Sequence, residues 1–126
     1  MTKHLCTWFD ITVTDMDKAA AFYQKVLQRE LKVQNQNGLT VAVFDHKSHD
    51  DVGGSLVLDS KHQAATTTSG PLLYFSVEGR LDHAIAEVPK CGGKVMSTVE
   101  EIVPWGFRCV VTDCCGNRIA LHSYKK

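Results

Sequence analysis

The sequence has no excess of charge of either sign, only three prolines and no long apolar run. Lys and Arg together number 14, as do Asp and Glu, so the formal net charge is zero. Phosphate backbones and anionic lipids are attracted by basic surfaces, so we expect neither a nucleic acid nor a membrane as partner. The N-terminal residues lack the apolar segment of a signal peptide, and no stretch has the length of a membrane-spanning helix. We therefore expect a cytoplasmic location.

The cysteines form an odd set without a C-x-x-C pair: Cys6, Cys91, Cys109, Cys114 and Cys115. Adjacent cysteines are poorly placed to bridge each other, so we predict free thiols in a reducing compartment. The motifs of serine hydrolases, P-loop proteins, dinucleotide-binding proteins and zinc proteases are also missing. The sequence therefore offers no support for those four classes.

The first half of the chain predicts a β-α-β-β-β unit. At 126 residues and 44% hydrophobic content, the chain is long enough for a single domain with its own core. Between residues 5 and 13, Phe9, Ile11 and Val13 alternate with Trp8 and Asp10, which is typical of a strand. Cap oxygens of Thr14 and Asp15 precede an apolar stripe at helical spacing over about 16–27. Three short strands follow at 31–33, 40–44 and 55–58, after turn signals at Asn37-Gly38 and Gly53-Gly54.

The second half repeats this pattern after a polar linker at about 60–70. This half has a strand at 72–77, a helix from about 81, and strands at 94–96, 107–111 and 118–122. Pro89 should kink or shorten the helix, and Gly92-Gly93 should end it. Val77 follows Val13 by 64 positions and Gly116 follows Gly53 by 63, so the offset is steady. We predict an α+β domain over 1–126 built from tandem βαβββ modules at about 5–59 and 71–124.

Several segments resemble the vicinal oxygen chelate superfamily, which includes glyoxalases, bleomycin resistance proteins and extradiol dioxygenases. They are residues 13–17 with Phe22-Tyr23, the Gly53-Gly54 segment, Gly92-Gly93-Lys94-Val95, and residues 113–123 with their Gly116-Asn117 turn. The resemblance covers about residues 5–124. It implies two modules whose curved sheets surround a cleft, and it implies a homodimer as the common assembly.

The same resemblance locates four positions where metal-dependent relatives place their ligands, and all four are apolar here. They lie on the first and last strands of the modules and are Trp8, Val57, Leu72 and Ala120. Indole and alkyl groups offer no lone pair to a divalent cation. The resemblance therefore implies a glyoxalase-like protein without metal or other cofactor, similar to the antibiotic-binding members. Its cleft would bind an organic ligand on these residues, with Trp105 and Phe44 as walls, unless the four are simply core filling.

A competing interpretation places polar chemistry two residues further along the same strands. Asp10, Asp59, Tyr74 and His122 should share a face with the four apolar positions because strand side chains alternate. An enzyme of glyoxalase-like lyase, isomerase or dioxygenase type using displaced ligands would rely on Asp10, Asp59 and His122. The alternative is that these polar residues are solvated at the strand ends or cap turns.

Three further features have a functional and a structural interpretation. The tract at 45–51 contains His46 and His49, residue types that bind metals, but an exposed hairpin tip is the preferred explanation. Cys114 and Cys115 are turn residues unless His122 activates one of them as a nucleophile. Trp105, in a hairpin at 104–107, could stack on a planar ligand, or could pack at a dimer contact or against its own hairpin. Tyr74 is a further candidate ligand contact.

Overall fold

The first module is an open four-stranded sheet crossed by one helix. The computed structural model describes residues 4–36, 38–45, 51–58 and 71–126. The elements of this module are β1 (Trp8–Val13), α1 (Met16–Leu27), β2 (Leu31–Gln36), β3 (Leu39–Phe44) and β4 (Gly53–Leu58). The strand order is β1-β4-β3-β2, with β1 and β4 parallel and the other pairs antiparallel. The sheet edges are β1 and β2.

The second module repeats this topology with one strand interrupted. Its elements are β5 (Leu73–Ser76), α2 (Leu81–Lys90), β6 (Lys94–Val95), β7 (Glu100–Glu101), β8 (Phe107–Thr112) and β9 (Arg118–Ser123). β5 pairs in parallel with β9, and β9 pairs antiparallel with β8. Both β6 and β7 pair with β8. The strand predicted at 94–96 is β6, and β7 is a further short strand that was not predicted. The predicted α+β fold of two βαβββ modules is confirmed.

Local chemistry explains where the helices begin and end. The Asp15 carboxylate accepts a hydrogen bond of 3.1 Å from the Lys18 backbone N–H, which caps the start of α1 as predicted. Pro89 was expected to kink or shorten α2, and the helix ends at Lys90, one residue after it. Pro89 lies in the last helical turn, where its missing N–H removes one intrahelical hydrogen bond without interrupting a later turn. Of the described helices, neither is long and apolar enough to cross a membrane.

The two modules share one hydrophobic core. Buried side chains of both helices and both sheets form a single cluster, and α1 packs against α2. Phe9 on β1 contacts Phe75 on β5 at 5.4 Å between ring centroids, and Phe44 lies 5.8 Å from Phe9. We call the sheet face turned toward the helices the core face and the opposite one the outer face. Phe44 lies on the core face, so it does not form the cleft wall that we predicted for it.

The turn between β8 and β9 joins the modules. Asp113 is only 1% exposed and accepts hydrogen bonds from the Tyr23 hydroxyl at 2.6 Å and from the backbone N–H groups of Cys115 and Asn117. The Asn117 side-chain amide donates to the Thr12 carbonyl of β1 at 3.0 Å. A buried carboxylate needs such donors. The hydrogen bonds from Tyr23 and to Thr12 tie this turn of the second module to the first module.

Candidate functional site

The outer face of the first sheet carries a hollow of about 440 Å³. Strand alternation places Trp8 and Asp10 of β1 beside Ser55 and Val57 of β4 on this face. We call it the first hollow, and it is lined by Trp8, Asp10, Gln34, Leu39, Val41, Val43, Ser55 and Val57. Most of this lining is apolar, as suits the binding of an organic molecule.

The Trp8 indole is held in a defined orientation inside the first hollow. Its Nε1–H donates to Asp10 Oδ1 at 3.1 Å, and the Ser55 hydroxyl donates to the same oxygen at 2.8 Å. Trp8 pairs in register with Gly53, and the indole covers that glycine so closely that a Cβ there would lie 2.4 Å from Trp8 Cζ3. β4 begins at Gly53. The Gly53-Gly54 segment, for which the sequence indicated a turn, is therefore part of the strand.

The outer face of the second sheet carries a smaller hollow that is rich in aromatic rings. It has a volume of about 350 Å³, and we call it the aromatic pocket; it is lined by Tyr74, Ile102, Trp105, His122 and Tyr124. The His122 ring lies edge-on to Tyr124 at 4.7 Å and to Tyr74 at 6.2 Å between centroids. Such edge-to-face contacts are the favoured geometry of aromatic pairs, so the rings support one another.

Backbone geometry of the 102–106 turn fixes both Trp105 and His122. The Trp105 N–H donates to the Ile102 carbonyl at 2.6 Å, and the Ile102 N–H donates to the Gly106 carbonyl at 2.8 Å. Gly106 has a φ of +89°, and a Cβ there would lie 2.6 Å from the Ser123 carbonyl oxygen, so only glycine fits. The Trp105 carbonyl lies 2.6 Å from His122 Nε2. Since a carbonyl only accepts, Nε2 carries the proton and the neutral ring has its lone pair on Nδ1.

Arg108 borders the aromatic pocket from the neighbouring strand. It pairs in register with His122, and its guanidinium lies 5.9 Å from the Tyr74 ring centroid and donates to the Tyr74 hydroxyl. Its Nε lies 3.4 Å from the Glu100 carboxylate. The hydrogen bond to Tyr74 raises the pKa of Arg108 further above its ordinary value, so this group is a permanent positive charge.

The four positions implied as metal-ligand positions do not fit a metal. Trp8 and Val57 lie in the first hollow, Leu72 is half-buried just before β5, and Ala120 is fully buried between Tyr74 and Val110. None of their side chains offers a lone pair to a hard cation. Over the described residues, moreover, no three His, Cys, Asp or Glu side chains are grouped so that they could hold a metal ion.

The structure brings together only part of the predicted polar site. Tyr74 and His122 meet in the aromatic pocket, but Asp10 belongs to the first hollow on the other sheet. Asp59, together with 46–50 and the linker at 60–70, lies outside the described residues. Burial raises the pKa of the Cys114 thiol from 9.0 to about 12, so this cysteine is no thiolate nucleophile at neutral pH.

Two members of the aromatic pocket, and its neighbour Arg108, were missed in the sequence. Tyr124 lies two positions after His122, so the period-two alternation that grouped His122 with Tyr74 already contained it. Arg108 and Ile102 belong to other segments, and their place depends on strand register and on the 102–106 turn. Short-range patterns carry no register information for these segments.

Fold and site together define a protein of two βαβββ modules with ligand-sized hollows on the outer faces of its sheets. The sequence pattern of the Glyoxalase/Bleomycin resistance protein/Dioxygenase superfamily matches residues 4–121. The chain belongs to that superfamily. No curated protein matches the sequence.

Several solved structures share the fold at low sequence identity. A hypothetical protein from S. aureus is 18% identical with a TM-score of 0.70, and the match covers 96% of this chain and 93% of that one. Fosfomycin resistance protein FosX from Listeria monocytogenes is 14% identical with a TM-score of 0.69, over 97% and 94%. A glyoxalase I variant from Zea mays is 14% identical with a TM-score of 0.77, and the match covers 98% of this chain but 48% of that one. These likenesses show the fold alone.

Proposed function

We propose that this protein binds a small organic ligand on its outer faces without a metal ion, and that it need not catalyse a reaction. The observation that carries the proposal is the replacement of lone-pair donors by indole and alkyl groups at Trp8, Val57, Leu72 and Ala120. The hydrogen bonds that orient the Trp8 indole above an apolar floor support the same conclusion, since a preorganised aromatic surface binds planar ligands at low entropic cost.

Replacing Trp8 by Ala is expected to weaken binding of the neutral fluorescent probe N-phenylnaphthylamine by about tenfold, because the stacking surface of the first hollow is lost. Probe titration followed by fluorescence measures this directly. Leu5→Ala is the matched control, since Leu5 is fully exposed outside the sheets. Saturable binding that survives a chelator supports the proposal. Binding that disappears with chelated metal, or that is equal in Trp8→Ala and the parent protein, contradicts it.

The proposal includes a homodimer in which the first hollow of one protomer faces the aromatic pocket of the other. Both sheets are open, and Trp8, Trp105 and Tyr124 expose large aromatic surfaces on their outer faces. The two surfaces differ in charge, since Asp10 lies in the first hollow and Arg108 at the aromatic pocket. A two-fold axis would place the two surfaces opposite each other twice and form two identical clefts, in which the aromatic rings remain open to a ligand.

Sedimentation at micromolar concentration should therefore give twice the chain mass of 14.0 kDa. Asp10→Arg is expected to shift the protein toward the monomer, because it places like charges opposite each other across the interface. The control Asp17→Arg alters an exposed acid in the first turn of α1 and should leave the dimer intact. A parent protein that sediments as a monomer would exclude this assembly.

The five thiols, all unpaired in the structure, support a reducing location such as the cytoplasm.

A further inference from the structure

The aromatic pocket of the second module combines exposed rings with a positive charge at its border. We propose that it binds a planar aromatic anion, whose ring stacks on Trp105 and Tyr124 and whose acidic group lies toward Arg108. This inference rests on the proposed function, because it names the chemical class of the ligand.

The exposure of the rings supports an aromatic ligand. Tyr74 is 48% exposed, Trp105 is 63% exposed and Tyr124 is 61% exposed, so ring surface remains available after the contacts with His122 are made. The volume of about 350 Å³ is sufficient for a bicyclic aromatic molecule. The 102–106 turn and the His122 contact hold Trp105 in place before any ligand arrives, which lowers the entropic cost of stacking on it.

The charge at the pocket decides between an anion and a cation. A group of Tyr and Trp rings alone would also suit a quaternary ammonium ion. Here the Arg108 guanidinium already lies 5.9 Å from the Tyr74 ring centroid and donates to its hydroxyl, so a second cation would meet a like charge. A guanidinium has five N–H donors, and the contacts with Tyr74 and Glu100 within the described residues use only part of them. The remaining donors can bind a carboxylate or another oxyanion.

The test compares three probes with the same ring system and different charge: naphthoate, naphthylmethanol and naphthyltrimethylammonium. Calorimetry on the full chain is expected to show naphthoate binding about tenfold tighter than naphthylmethanol, since the extra interaction is one charge-assisted hydrogen bond. Naphthyltrimethylammonium should bind more weakly than both. The preference for naphthoate should decrease with added salt, because Arg108 is partly exposed.

Single-residue variants show which side chains produce the preference for naphthoate. Arg108→Gln should reduce naphthoate binding about tenfold to the level of naphthylmethanol and leave naphthylmethanol unchanged, which also shows that the variant is folded. Arg29→Gln is the matched control, since Arg29 pairs with Asp45 at 2.7 Å outside the aromatic pocket and should not alter either affinity. Trp105→Ala should weaken naphthoate and naphthylmethanol together, because both need the ring surface.

Four results would overturn the inference. Equal affinities for naphthoate and naphthylmethanol, unaffected by Arg108→Gln, would contradict the predicted preference for an anionic ligand. The proposed function would remain intact. Tightest binding of naphthyltrimethylammonium would make the pocket a cation cage. If none of the three charge-series probes binds but N-phenylnaphthylamine does, the aromatic pocket is not the ligand site although the proposed function stands. If N-phenylnaphthylamine also fails to bind, both proposals fail.

Discussion

Replacing Asp113 by Ala is expected to lower the free energy of unfolding by about 3–5 kcal/mol, a large part of the 5–15 kcal/mol of a typical domain. The carboxylate is 1% exposed and accepts from the Tyr23 hydroxyl, from two backbone N–H groups and from the Asn117 side-chain amide. Removing it leaves these donors without their acceptor inside the protein, which costs their full desolvation. Urea denaturation at neutral pH measures the change.

Two other substitutions show whether the hydrogen bonds to the Asp113 carboxylate are responsible for this loss of stability. Tyr23→Phe removes one donor and should cost about 1–2 kcal/mol. Burial, followed by the nearby Asp113 charge, raises the pKa of Tyr23 well above 10.0, so the hydroxyl remains a donor at any pH used in such experiments. Asp17→Ala alters an exposed acid in the first turn of α1 and should cost less than about 1 kcal/mol. If Asp113→Ala is no more harmful than Asp17→Ala, the turn is not what joins the modules.

Gly54→Ala is expected to lower the free energy of unfolding by about 2–3 kcal/mol, the cost of overpacking a core. A Cβ on Gly54 would lie 2.3 Å from Phe9 Cζ. The Phe9 ring cannot retreat freely, because Phe44 and Phe75 surround it at 5.8 and 5.4 Å between centroids. Urea denaturation of the variant against the parent protein measures this cost.

The neighbouring Gly53→Ala provides the contrast on the outer face. Its Cβ would lie 2.4 Å from Trp8 Cζ3, but the indole borders solvent and can swing away. We expect a stability loss below about 1 kcal/mol together with a drop in N-phenylnaphthylamine affinity similar to that of Trp8→Ala. Equal stability losses for the two variants would show that the faces are not as different as the packing indicates. An unchanged probe affinity in Gly53→Ala would show that the indole orientation does not matter for binding.

Short-range patterns predicted the elements well and the faces of the strands in part. The alternation of Trp8 and Asp10 with Phe9 and Ile11 separates an outer from a core face, and the structure has this separation. The prediction of Phe44 as a cleft wall did not rest on such an alternation. Both faces of β3 carry apolar side chains, so the sequence pattern does not show which of the two faces is buried. Only packing against Phe9, Tyr23 and Phe75 identifies Phe44 as a core residue.

The sequence by itself determined the duplicated βαβββ order, the capped start of α1 and the apolar character of the four positions implied as ligand sites, because each depends on residues close together in the chain. Tertiary structure alone decided that Asp10 and His122 belong to different hollows, that Arg108 lies beside Tyr74, and that Trp8 covers Gly53. These pairings follow from strand register and from packing between segments distant in sequence, which local periodicity does not encode.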